Sequence, residues 1–284
     1  AGEIGEESGH GGSWVVAETS LVGHDARMAS IGFLGVGTIS EAVVRAMCAR
    51  PGMSDDIVLS PRSDDRSRRL ASDFVQCTRL DSNQEVIDAS EIVVLAMRPQ
   101  QLDEAIRGLN FRRGQIVASF IAGTPPSDIG PLVAPAGPVS QIIPLPAITL
   151  HRGPLVISPA VPQVVEAFAG LGDVVTLEDE ATVRTLSCAS AIMSTYYEMQ
   201  NALIQWITAQ GIDEETASLY VRSELEGLAA VGKVTPEEQR RGLPGEHQTR
   251  GGLNERVRER LLREGWFDTL VETMDQVHRT ATLR

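Results

Sequence analysis

An apolar run that breaks into glycines and then resumes with helical spacing constrains this chain more than any other feature. In ASIGFLGVGTISEA, residues 29 to 42, SIGFL has the makeup of a buried parallel strand, and Ala42, Val43, Ala46 and Met47 mark the inward face of a following helix. Between them Gly35 permits a tight turn, Gly37 lets backbone approach a ligand with no Cβ in the way, and Ser40 stands where a third small residue allows close packing of helix on strand. Strand, turn and helix in this order present the amides of Gly35, Val36, Gly37, Thr38 and Ile39 to an anion, the arrangement that seats a dinucleotide pyrophosphate. The pattern is GxGxxS rather than GxGxxG, and a glycine turn with no ligand reads the same way.

The alternation continues. The spacing predicts strands at 30–35, 56–60, 91–97, 115–121, 139–144, 153–159 and 173–177 and a short extended segment near VQCTRL. Helices are expected at 38–50, 64–73, 83–89, 99–108, near 126–132 and at 161–170. Strands alternating with helices of this length imply βαβ units, hence an α/β fold with a Rossmann-like, doubly wound parallel sheet. Beyond Glu178 no strand-like alternation remains; helices are predicted at 179–209, 213–231 with Asp213 as N-cap, 252–264 and 266–282. Three parts follow: residues 1–27 as an N-terminal extension, native or introduced; 28–178 as a dinucleotide-binding domain; and 179–284 as an all-α domain whose apolar faces suit dimerisation and the substrate side of the site.

Composition narrows the function. The 284 residues are 42% hydrophobic and 22% charged, enough for one large or two ordinary domains with real cores. No run approaches a membrane span and no leader pattern opens the chain, so the cytoplasm is the expected location. A formal net charge of −13 argues against nucleic-acid or anionic-membrane partners. The three cysteines, Cys48, Cys77 and Cys188, are widely spaced with no CxxC pair, so buried thiols are expected and no metal site. Lys233 is the only lysine, which excludes Schiff-base chemistry unless Lys233 carries it.

The second predicted strand ends in Ser60-Pro61-Arg62-Ser63, where an NAD enzyme usually carries an acid for the ribose diol. Arg62, flanked by Ser60 and Ser63, offers a charge-assisted fork for a 2′-phosphate, which favours NADPH; the competing reading has Asp64 and Asp65 neutralising a solvated loop arginine. In order and spacing IGFLGVGTISEA, LSPRS, IVVLAMRPQ and SFIAGTP are similar to the pyrroline-5-carboxylate reductases. The likeness extends through GIDEETASLYV, RGGLNE and EGWFDTLVETMDQVHRT, covering nearly everything after Met28. That resemblance implies that Asn83 and the Ala96-Met97-Arg98-Pro99 turn line the adenosine ribose and the nicotinamide half of NADPH. It also implies an oxidoreductase of proline biosynthesis that forms an interlocked homodimer or a ring of dimers. Independently, AMRPQ follows a buried strand and so falls at the carboxyl end of the sheet, where ligands of open α/β sheets bind; Pro99 also serves simply as a helix-opening residue.

Reducing a cyclic imine needs a hydride donor, an imine carbon held close to it, and a proton or hydrogen bond at nitrogen, and a carboxylated substrate also needs an anion seat. Gly251-Gly252, opening a helix, is the expected seat, with Arg250 beside it and Asn254 where the resembling family has a hydroxyl taken to assist the imine nitrogen. Asn254 is thus the candidate catalytic residue, although an amide cannot relay a proton. Pro144-Leu145-Pro146-Ala147 and Cys188-Ala189-Ser190-Ala191 also depart from the family's pattern, so the natural cyclic imine stays open. Tyr196 and Tyr197 are either substrate donors or dimer core. The expectation is an NADPH-dependent reductase acting on C=N. The alternatives are a silent NADP-binding oligomer with a regulatory role and a hydroxyacid dehydrogenase-like oxidoreductase, the latter disfavoured because 179–209 carries no lysine.

Overall fold

The computed structural model describes residues 30–52 and 56–282. The extension at 1–27 lies outside the described residues. From the glycine turn onward the order is β1 (Ser30–Leu34), α1 (Thr38–Ala49), β2 (Asp56–Leu59), α2 (Asp64–Asp73), β3 (Cys77–Arg79), α3 (Asn83–Ala89), β4 (Ile92–Leu95), α4 (Leu102–Ile106), β5 (Ile116–Ser119), α5 (Pro126–Ile129), β6 (Val139–Ile143), β7 (Pro154–Ser158), α6 (Pro162–Phe168) and β8 (Asp173–Thr176). The strands form one eight-stranded sheet, ordered β3-β2-β1-β4-β5-β6-β7-β8. The chain reverses its direction of winding between β1 and β4, which opens a crevice at the carboxyl ends of these strands.

The central strands are covered on both faces, and the two-residue period of the strands sorts the core. Ile31, Phe33, Ile57, Leu59, Ile92 and Val94 pack on one face, beneath α1 and α6. Leu34, Val58, Val93 and Leu95 point the other way, against Val86 and Ile87 of α3 and Leu102 and Ile106 of α4. Gly32 is required here: a Cβ on it would sit 2.0 Å from Ser90 Oγ, so only glycine lets the end of α3 press onto β1.

One pairing departs from the all-parallel expectation: β7 runs antiparallel to β6, with Ile142 opposite Ile157. The connection at 144–153 holds only a 3₁₀ turn, Pro146–Leu150, and is too short for a crossover helix. His151 closes that turn in the left-handed conformation, and its Nε2 lies 3.0 Å from Ala46 O on α1. β8 then returns parallel to β7 through α6.

The remainder is helical, as expected: α7 (Glu180–Ala189), α8 (Ile192–Ala209), α9 (Glu214–Val234), the short α10 (Glu237–Arg240) and α11 (Leu243–Glu246), α12 (Leu253–Arg263) and α13 (Trp266–Thr282). The segment 179–209 is two helices rather than one. Ser187 and Ser190 hydroxyls bond back to the carbonyls of Val183 and Leu186, and Ala191 N reaches only to Cys188 O, so the ladder tightens and breaks at Ser190. Asp213 caps α9 by accepting from Thr216 N at 2.9 Å. Ile204, Ala217 and Val221 form the one buried cluster between α8 and α9. Among the described residues no helix is long and apolar enough to cross a membrane.

Candidate functional site

At the end of β1, Gly35 adopts φ +99°, and a Cβ there would meet Ala96 O at 2.6 Å. Only glycine satisfies both conditions. The Gly35 N–H donates to Ser60 Oγ at 2.9 Å, and Ser60 is fully buried, so this hydroxyl positions the turn from inside. Val36 is also buried in the core, which leaves its backbone rather than its side chain for a ligand. Gly37 caps α1 with no side-chain acceptor, and the space where its Cβ would stand is open. Exposed Thr38 and half-buried Ile39 complete the first turn, whose N–H groups have no intrahelical partner.

Arg62 is exposed beside this turn and bonds to no described residue. Asp64, the acid invoked to neutralise it, pairs instead with Arg68 at 2.7 Å and Arg79 at 2.8 Å; the hydrogen bond from Arg68 holds its carboxyl below the ordinary range. Ser63, with φ +73°, opens α2 exposed and without a side-chain cap bond. A second guanidinium lies at the same edge: Arg66 donates to Thr38 Oγ1 at 3.2 Å and pairs with Glu41 at 3.2 Å. Its spacing of four from Arg62 is the signal the sequence carries for it.

Ala96 backs onto Gly35, and its N–H donates to Leu34 O at 2.9 Å, so the AMRP turn and the glycine turn are one structure. Met97 is half-buried, and Arg98 and Pro99 are exposed, with Pro99 opening a 3₁₀ turn. Asn83 Nδ2 donates to Ala105 O at 3.2 Å, tying α3 to α4. A cleft lined by Pro99, Gly123, Thr124 and Thr273 continues into a cavity of about 460 Å³ lined by Gly123, Thr124, Gln141, Arg184, Ser187 and Cys188. Arg184 there forms no hydrogen bond or ion pair with any described residue. Glu180 of the same cavity is engaged by the N–H and hydroxyl of Ser127, both at 3.3 Å.

The segment from Arg250 to Asn254 stands apart. Asn254 Nδ2 donates to His247 O at 2.6 Å, Gly252 N to Thr249 O at 2.8 Å, and Gly251 N to Glu255 Oε2. Arg250 is exposed, and the cavity at this turn is lined only by residues from Glu246 to Asn254. Within one chain Gly35, Ser60 and Ala96 meet at the glycine turn, whereas the hydrogen bonds of Gly251, Gly252 and Asn254 stay within residues 247–255. Lys233 is also distant from chemistry, held in an exposed ion pair with Asp173 at 2.6 Å. Tyr196 and Tyr197 stack edge to face, 5.6 Å apart, on the exposed side of α8.

The family profile described as NADP oxidoreductase, coenzyme F420-dependent, matches residues 30–123. The pyrroline-5-carboxylate reductase of Vibrio alginolyticus is 25% identical over 233 residues, 78% of this chain and 85% of that protein. The solved 1-pyrroline-5-carboxylate reductase of Streptococcus pyogenes superposes with TM-score 0.78 at 20% identity, covering 90% of this chain and 99% of that one. The Plasmodium falciparum pyrroline carboxylate reductase, solved with NADP bound, gives 0.76 at 14% identity, covering 89% and 97%. By sequence over most of its length, and by fold, what this chain resembles is the pyrroline-5-carboxylate reductases.

Proposed function

We propose that the chain is an NADPH-dependent reductase of a cyclic imino acid, converting pyrroline-5-carboxylate or a close analogue to proline or its counterpart. The observation that carries this reading is the glycine turn, whose backbone is closed by Ala96 and Ser60 on one side and open above Gly37 on the other. A cradle that a Cβ would fill, at the start of a helix of this length, fits a pyrophosphate. Arg62, left free by its acidic neighbours, fits a 2′-phosphate better than a ribose diol. The NADP in the Plasmodium structure supports the same choice.

A reduced nicotinamide bound along this edge supplies the hydride. The chain's part is placement. Pro99 and the turn at Ala122–Thr124 border the cleft at the expected nicotinamide end, and the adjoining cavity offers Gln141, Arg184 and Ser187 as polar groups to orient an imino acid. Arg184, half-buried in that cavity with no ion pair, is the cation there best placed to hold a substrate carboxylate. An iminium already carries its proton, so no strong acid is required, and the distance of Lys233 costs nothing. Gly251, Gly252, Arg250 and Asn254 retain a role in substrate binding only in an assembly where a second copy brings the α12 turn to this cavity. The reading accordingly gives 28–178 the cofactor and 179–284 the assembly and the substrate side of the site.

NADPH consumption across five- and six-membered cyclic imines, each with and without a 2-carboxylate, tests the reading. Oxidation is expected with carboxylated five-membered imines, and Arg184→Gln should raise KM about 10-fold for these while leaving uncarboxylated imines within about twofold. Tight NADPH binding with no imine-dependent oxidation would defeat it.

A further inference from the structure

The sulfurs of Cys48 and Cys77 lie 3.6 Å apart, although the residues are far apart in sequence. Cys48 sits on the last turn of α1, the helix that begins at the phosphate cradle, and Cys77 opens β3 on the edge of the sheet. Both are free thiols, Cys77 buried and Cys48 half-buried rather than sealed in the core. We propose that this pair is an oxidation site, at which a peroxide joins the two sulfurs in a disulfide between α1 and β3 and a dithiol reductant releases it.

The geometry asks little of the fold. A disulfide holds its sulfurs at about 2.05 Å, so the pair must close by about 1.5 Å, a distance within the reach of side-chain rotation and a small shift at the end of a helix. Peroxide reaches the pair from the exposed side of Cys48. The environment also assigns the roles. The two sulfurs share one hydrogen bond, and Cys48 is the less buried of the pair with Arg45 one turn away; the shared bond and that guanidinium lower the Cys48 thiol from its ordinary value, against its partial burial, while the same bond and burial raise Cys77. The sulfur that solvent reaches, Cys48, is therefore the attacking one. Its thiolate takes one peroxide oxygen: an S–O bond forms, the O–O bond breaks, and the departing hydroxide picks up a proton. Cys77 then attacks the sulfenic sulfur; the S–S bond forms, the S–O bond breaks, and the hydroxyl leaves as water with the Cys77 proton. Two thiols and one hydrogen peroxide give one disulfide and two waters.

The test uses the full chain treated with hydrogen peroxide, followed by thiol counting in denaturant and peptide mapping. The three thiols should fall to one, with a Cys48–Cys77 linked peptide, and dithiothreitol should restore all three. Cys188→Ser should yield the same linked peptide with no thiol left. Cys77→Ser should lose the link and accumulate Cys48 sulfinic acid instead. Three surviving thiols, a link through Cys188, or Cys48 overoxidised in the unsubstituted protein with no linked peptide would each overturn the proposal.

Discussion

The sheet half and the helical half of this molecule are finished to different degrees. From Ser30 to Ser158 the central strands are covered on both faces, and the glycine turn at their edge is built by contacts within one chain. From Glu180 onward, α8 and α9 share a single small cluster, while Tyr197, Trp206, Leu219, Tyr220, Val257 and Val271 are mostly exposed. Burying each such side chain is worth about 1.5–3 kcal/mol, so this face favours a covering partner. The sheet half is thus completed by contacts within one chain, whereas the helical half leaves apolar side chains with no cover among the described residues; a second copy of the chain, expected from the sequence, is the cover we propose.

The largest expected effect separates the halves from the cofactor side. Gly35→Val combines a forbidden φ with a backbone clash, so NADPH affinity, read by fluorescence titration, should fall about 100-fold or more, with oligomeric state unchanged. From the other side, Trp206→Glu places a charge on the exposed face of α8; association measured by sedimentation should weaken at least about 10-fold with NADPH binding retained. An unsubstituted chain that sediments as a monomer at micromolar concentration would break the comparison outright. Arg62→Glu should raise KM for NADPH roughly 10-fold while KM for NADH stays within about twofold; equal changes would remove the 2′-phosphate assignment. Ser60→Ala strands the Gly35 N–H and should cost the sheet half about 1–2 kcal/mol by denaturant unfolding. Smallest is Asp213→Ala. The Thr216 N–H holds the Asp213 carboxyl below its ordinary value, so the cap's contribution is present at neutral pH and fades as pH falls below about 4. The substitution should flatten the acid limb of thermal unfolding and leave cofactor binding alone.

Much of this was legible in the sequence because it is local. The ends of α2 and α3 were read correctly, since Asp64 and Asn83 start helices whose periodicity is unbroken. Gly35 was legible because a positive φ leaves few other residues. The reversal of β7 was not, because GPLVISP carries the same apolar signature whichever way the strand runs. Nor was the break at Ser190, where the apolar spacing continues across the two helices. At the site, Arg62 stood out by its place after β2, whereas Arg184 gave no local sign that it faces a cavity floored by the turn after β5.

Periodicity and backbone restriction act over a few residues, and for that reason composition and spacing alone specify an α/β sheet with a glycine turn after its first strand and a helical tail. Which strand turns back, which serine holds the glycine turn, which arginine escapes its neighbouring acids, and which two cysteines meet are settled by packing. Each depends on groups distant in the chain being pressed together by the closing of the sheet's two faces, and no window of sequence contains both partners.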